Sequence, residues 1–145
     1  MVYLGIDPGK HGGLAVIYSD GSTYVMPLKE DTLINVLRAL SGIPARCCLE
    51  KVHAMPKQGV ASTFTFGAGY GYIKGVLECN HVSYQEIPPQ QWKKEFGLNT
   101  DKKKSVDVCR KLFPDVSLRP TERCRTDNDG MAEALLMAEY ARRKL

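Results

Sequence analysis

"VYLGIDPGKHGGLAVIYS" runs from Val2 to Ser19. A short apolar run ends in an acid, Asp7. The Pro/Gly-rich stretch "PGKHGG" follows, and then a second apolar run. Two apolar runs too short for helices, split by a glycine-bearing break, predict two strands joined by a tight turn. The next stretch, "STYVMPL", is a candidate third strand.

Reading onward, Leu33, Val36, Leu37 and Leu40 recur at helical spacing between Glu30 and Leu40, and Gly42 and Pro44 end that helix. "ARCCLEKV" reads as a buried strand with Glu50 near its end, followed by the polar loop "HAMPKQGVAST". A long segment then reaches Asn80, with Gly67, Gly71 and Gly75 at strict four-residue spacing and Gly69 between them. Each glycine weakens a helix by about 1 kcal/mol. Such a stripe is tolerable where it lets another backbone approach closely. "HVSYQEI" predicts a further strand, "PPQQWKKEFG" a helix opened by prolines, and "TDKKKSVDVCRKLF" a basic helix. A loop over 114–125 leads to a last helix, Thr126 to Arg143, acidic at its start and basic at its end. Strands first, then strands alternating with helices, predict an α/β fold: one domain over 1–145 built on a mixed β-sheet flanked by helices.

The net charge of +4 is unevenly placed: Lys93, Lys94, Lys102, Lys103, Lys104, Arg110 and Lys111 crowd one stretch. Basic clusters of this kind suit a polyanionic partner as well as plain solubility. No apolar run approaches membrane-spanning length and no signal-like start is present, so a cytoplasmic protein is expected. The five cysteines form no CxxC pair, which leaves no zinc-knuckle spacing and favours reduced structural thiols.

The last helix poses a question of charge. Asp129 and Glu133 stand one turn apart and repel each other, with no Lys or Arg of the helix one turn away. One reading is a solvated face whose acids suit the helix dipole. The other takes them with Asp7 and Glu50, which also lie at element ends. Four clustered carboxylates are costly unless cations neutralise them, and hard oxygen ligands suit Mg²⁺, with Mn²⁺ able to substitute. Two such ions about 4 Å apart activate water and stabilise the leaving oxygen of a phosphodiester.

The order of these motifs resembles a known family. "GIDPGKHGGLAVI" looks like the first hairpin of the RuvC group of Holliday-junction resolvases, of the RNase H-like superfamily. "LEKVHAMPKQG" resembles its second motif, a strand-end Glu and a junction-contacting loop, and "DGMAEALLMAEYA" resembles its closing helix. "TFTFGAGYGYIKGVLE" matches in position the family's long helix at the dimer interface. A phage or prophage member would suit the small size.

The resemblance implies an RNase H-like fold and a homodimeric, metal-dependent endonuclease that nicks four-way DNA junctions. Two Mg²⁺ ions would be held by Asp7, Glu50, Asp129 and Glu133. Glu133 stands where the family usually has Asp; the family's other helical acid falls at Gly130 here, making Asp129 the candidate and Asp127 the reserve. Lys104 is the expected catalytic lysine. His53, Lys57, Gln58, Lys102, Lys103 and Lys104 are the expected DNA contacts. Phe64, Phe66, Tyr70 and Tyr72 offer rings for stacking on splayed bases, the tyrosines being better placed as core or dimer contacts. Three competing readings stay open: a broader cutter of flaps, forks or RNA, an actin-like ATP-binding domain, and a DNA-binding protein with an inactive site.

Overall fold

In the computed structural model, which describes residues 1–145, the opening stretch forms β1 (Val2–Ile6) and β2 (Gly13–Tyr18), paired antiparallel. The third strand, β3 (Thr23–Pro27), pairs antiparallel on the far side of β2. After α1 (Thr32–Ala39), β4 (Ala45–Glu50) returns parallel to β1. A 20-residue helix, α2 (Val60–Cys79), leads to β5 (Ser83–Ile87), which pairs parallel with β4. The sheet order is therefore β3-β2-β1-β4-β5, mixed as the sequence predicts. The chain ends in three helices: α3 (Pro89–Glu95), α4 (Lys102–Leu112) and α5 (Asp129–Lys144).

Strand alternation sends side chains to two separate cores. Val2, Leu4 and Ile6 of β1, Leu14 and Val16 of β2, and Cys47 and Leu49 of β4 pack with Leu33, Leu37, Ile73 and Leu77 of α1 and α2. Their neighbours Ala15, Ile17 and Cys48 turn to the opposite face, where α5 lies with Trp92 of α3 and Cys109 of α4. Adjacent Cys47 and Cys48 thus serve different cores, both as buried small apolar groups.

The final helix is the buried one. Every residue from Gly130 to Ala141 is buried, including Leu135, Leu136 and Met137, each contributing about 2 kcal/mol by leaving water. Small residues set how closely it lies on the sheet. A Cβ at Gly5 would sit 2.0 Å from the Ala134 carbonyl oxygen and 2.3 Å from the Ala138 nitrogen, so strand and helix backbones touch there. The helix begins at Asp129 rather than Thr126, because the Asn128 side chain caps it by accepting from the Met131 N–H at 2.9 Å.

Candidate active site

The register between β1 and β4 builds the first half of the site. Ile6 pairs with Leu49, so one residue further on Asp7 and Glu50 stand side by side at the same end of two parallel strands. Both fall on the α5 side of the alternation. A bridge between Gly12 and Gly130 brings the start of α5 to the β1–β2 turn, over those two acids. Asp7, Glu50, Asp129 and Glu133 consequently line one cleft of about 470 Å³, with Gly9, Lys10, His11, Lys93 and Lys102 also in its wall.

Each acid is held by a named partner. The Gly9 N–H donates to Asp7 Oδ1 at 2.9 Å, and the Trp92 indole N–H donates to Glu50 Oε2 at 2.9 Å. Glu133, 4% exposed, accepts a long hydrogen bond of 3.4 Å from the Ser105 hydroxyl and faces the Lys93 ammonium at 3.4 Å. Asp129 faces Lys102 at 3.4 Å. The cations missing from α5's own face come from α3 and α4, which no spacing within one helix reveals. A solvated acidic face is thereby excluded for Glu133.

The electrostatics follow from this crowding. Burial pushes the Asp7 carboxyl from its ordinary 3.8 up to about 6, with the Gly9 hydrogen bond opposing and the charges of Glu133 and Asp129 adding. Burial likewise pushes Glu50 from 4.5 up to about 7, reinforced by Asp7 and Glu133 and opposed by Trp92 and Lys93. Burial works against the Lys102 ammonium too, but Asp129 above all, with Glu133 and Asp7, outweighs it and raises its pKa. Two acids that resist ionising beside two captured lysines form a site short of positive charge.

The donor set fits a hard divalent cation: four carboxylates line the cleft with no thiol, and His11 is its one imidazole. No three of these side chains converge on one point at ligand distance. Asp129 and Glu133 would bind such a cation from α5, and Asp7 and Glu50 from the strand ends.

The structure sorts the remaining candidates. Gly130 cannot carry an acid here, because a Cβ would lie 2.1 Å from the His11 carbonyl oxygen; Asp129 is the nearest position with room. Asp127 lies outside the cleft, clamped by the Arg110 guanidinium and facing Arg119 at 3.9 Å. Lys104, expected at the chemistry, is exposed and absent from the cleft, and Lys102 is the residue of that run that reaches it. The reason is helical rotation: residues two apart diverge by roughly 200°, so the two lysines cannot share a face. Lys103 is exposed and also outside the cleft.

His53, Lys57 and Gln58 line a neighbouring groove of about 980 Å³ that meets the cleft at Lys10 and Phe66. Gln58 steadies that loop by accepting from the Met55 N–H and donating to the Ser62 hydroxyl, both at 3.3 Å. Of the four aromatics of α2, Phe66 lines both hollows and Phe64 is 78% exposed. Tyr70 bonds Glu86, and Tyr72 is exposed with its hydroxyl 3.4 Å from the Glu30 carbonyl oxygen. Sequence reading missed Trp92 and Ser105 as supports of the acids. The only local signal is a tryptophan directly preceding a lysine in a proline-opened helix.

No family model matches the chain, and no curated protein matches it in sequence. Among solved structures it is similar to RuvC from Thermus thermophilus. Bound to a Holliday junction substrate, that protein superposes with a TM-score of 0.62 at 21% identity, covering 99% of this chain and 96% of that one. A second Thermus thermophilus RuvC structure gives 0.57 at 20% identity with the same coverage. At that identity the likeness establishes architecture: the chain has the RNase H-like α/β fold of RuvC.

Proposed function

We propose that this chain is a divalent-metal-dependent endonuclease that nicks four-way DNA junctions as a homodimer. One observation carries the reading: Asp7, Glu50, Asp129 and Glu133, distant in sequence, line a single open cleft together with Lys93 and Lys102. A bound pair of Mg²⁺ ions supplies an activated water and neutralises charge at the leaving oxygen. The protein's own part is placement. The Gly9 N–H and the Trp92 indole orient Asp7 and Glu50, and Asp129 and Glu133 close the cleft from α5. Lys93 and Lys102, paired with Glu133 and Asp129, put two ammonium groups in the cleft wall, where they would face an entering phosphate.

The groove lined by Lys10, His53 and Lys57 continues the cleft and suits a DNA strand entering it. The exposed apolar side of α2, with Val60, Phe64 and Tyr72 beside the glycine stripe, suits a second copy of the chain. Two-fold pairing would supply two sites for two related nicks.

The test incubates the protein with labelled four-way junction, flap and linear duplex, with Mg²⁺ and with chelator. Paired nicks confined to the junction are expected, and none with chelator. Asp7→Asn should abolish cleavage while retaining junction binding. Lys102→Ala should lower the rate at saturating enzyme, whereas Lys104→Ala should change salt-dependent affinity alone. Equal cutting of flap and duplex would assign a broader nuclease, and metal-independent cutting would reject the site.

A further inference from the structure

Trp92 is the only tryptophan, is fully buried, and spends its single hydrogen-bond donor on a carboxylate of the cleft. A buried indole N–H needs an acceptor, and a backbone carbonyl would satisfy it without bringing in a charge. Here the acceptor is Glu50 Oε2, at 2.9 Å. The terminal torsion of a glutamate is broad, so this bond to Oε2 restricts how the carboxyl group turns while Glu50 lines the cleft. The next residue extends the effect. The Lys93 ammonium lies 5.3 Å from the centre of the Trp92 ring and 3.4 Å from Glu133 Oε1. One buried ring therefore touches the strand acid directly and carries the lysine that engages the helix acid. The prolines at 88 and 89 start α3 at the position that sets this ring against β4 and α5.

We infer that Trp92 is a positioning residue for metal binding, orienting Glu50 through its indole N–H. The inference rests on Glu50 being a metal ligand, as proposed above. Outer partners that orient ligands typically govern affinity by ten- to a hundredfold.

The experiment measures Mn²⁺ binding by calorimetry for the wild type, Trp92→Phe, Glu50→Gln and the double variant. Phenylalanine keeps a ring under Lys93 but has no N–H. Trp92→Phe is expected to weaken Mn²⁺ binding about tenfold, and to add no further loss once Glu50 is Gln. An equal loss in both backgrounds means the ring acts by packing alone and overturns the inference, as does wild-type affinity in Trp92→Phe. A second measurement needs no core variant: the single indole N–H resonance of the wild type should shift when Mg²⁺ is added. An unmoved resonance in protein that calorimetry shows to bind Mg²⁺ also overturns it. Wild-type protein that binds neither ion would instead sink the metal-site reading itself, and the positioning role with it.

Discussion

Helices α5 and α2 are both rich in small residues, and they use them in opposite ways. In α5, Ala134 and Ala138 press on Gly5, and Gly130 presses on the β1–β2 turn, where no Cβ fits. In α2, a Cβ added at Gly67, Gly69, Gly71 or Gly75 meets nothing within 4 Å. Only one side of α2 is buried, through Ile73 and Leu77, while Val60 is 88% exposed. A run of small residues therefore marks close approach only where a second backbone is present. In α5 that backbone is the chain's own sheet. In α2 the stripe costs helix propensity and receives no contact within the chain, which is the arrangement expected of a face kept for another molecule.

The sharpest way to break this contrast is to add one methyl group to each helix contact. Gly5→Ala should cost about 3 kcal/mol in denaturant unfolding, because the new Cβ collides with backbone that cannot rotate away. A neutral Gly5→Ala would mean that α5 is not held against β1 as described. Ranked next is the metal effect on the acid-tipped end of α5. Saturating Mg²⁺ at a hundred times its dissociation constant should stabilise the protein by about 2.7 kcal/mol, seen as a rise in melting temperature that Asp129→Asn removes. Persistence of the full rise in that variant would place the ion elsewhere.

Proton binding gives a third test at the same end. Asp7 and Glu50 hold protons more tightly in the folded protein, at about 6 and about 7, than in the unfolded chain, near 3.8 and 4.5. Between those values the folded state carries more protons, so metal-free stability should fall as pH rises from about 4 to about 7. The contribution is complete below the lower values and lost above the upper ones. Chemical denaturation across that range should show the decline, and Asp7→Asn should flatten part of it. Smallest for the monomer is the change in α2: Gly71→Ala should raise stability by up to about 1 kcal/mol. Gly71→Leu should likewise not destabilise the monomer, while shifting a dimer to monomer in sedimentation. Loss of monomer stability in either Gly71 variant would show that α2 is packed within the chain after all.

The hairpin, the mixed sheet and the grouping of four acids were legible because each depends on local pattern. Short apolar runs split by Gly/Pro turns give strands, and strand ends with a helix start give places where acids gather. The charge partners were not legible. Lys93 and Lys102 reach Glu133 and Asp129 from separate helices, and only tertiary packing joins them. A run of three lysines also hides which one faces inward: Lys102 lines the cleft and Lys104 does not. Nor is the burial of α5 legible as a stripe, because apolar or small residues occupy nearly every side of it and leave no single apolar face to read. The acid's place at 129 and not at 130 is likewise a tertiary matter, since the His11 carbonyl fills the space beside Gly130.

The meeting of Gly5 with Ala134 and Ala138 joins points well over a hundred residues apart in the chain. Contacts of that separation require a long loop to close before they return any energy, which slows folding. Asp7 and Glu133 are brought together by the same closure. Without α5 docked, Asp7 and Glu50 stand alone, so the four-acid cleft is complete only once that long-range contact has formed. Any such nuclease activity would be switched on by folding itself, and a stalled or unfolding molecule would lose its capacity to damage DNA before it lost most of its secondary structure.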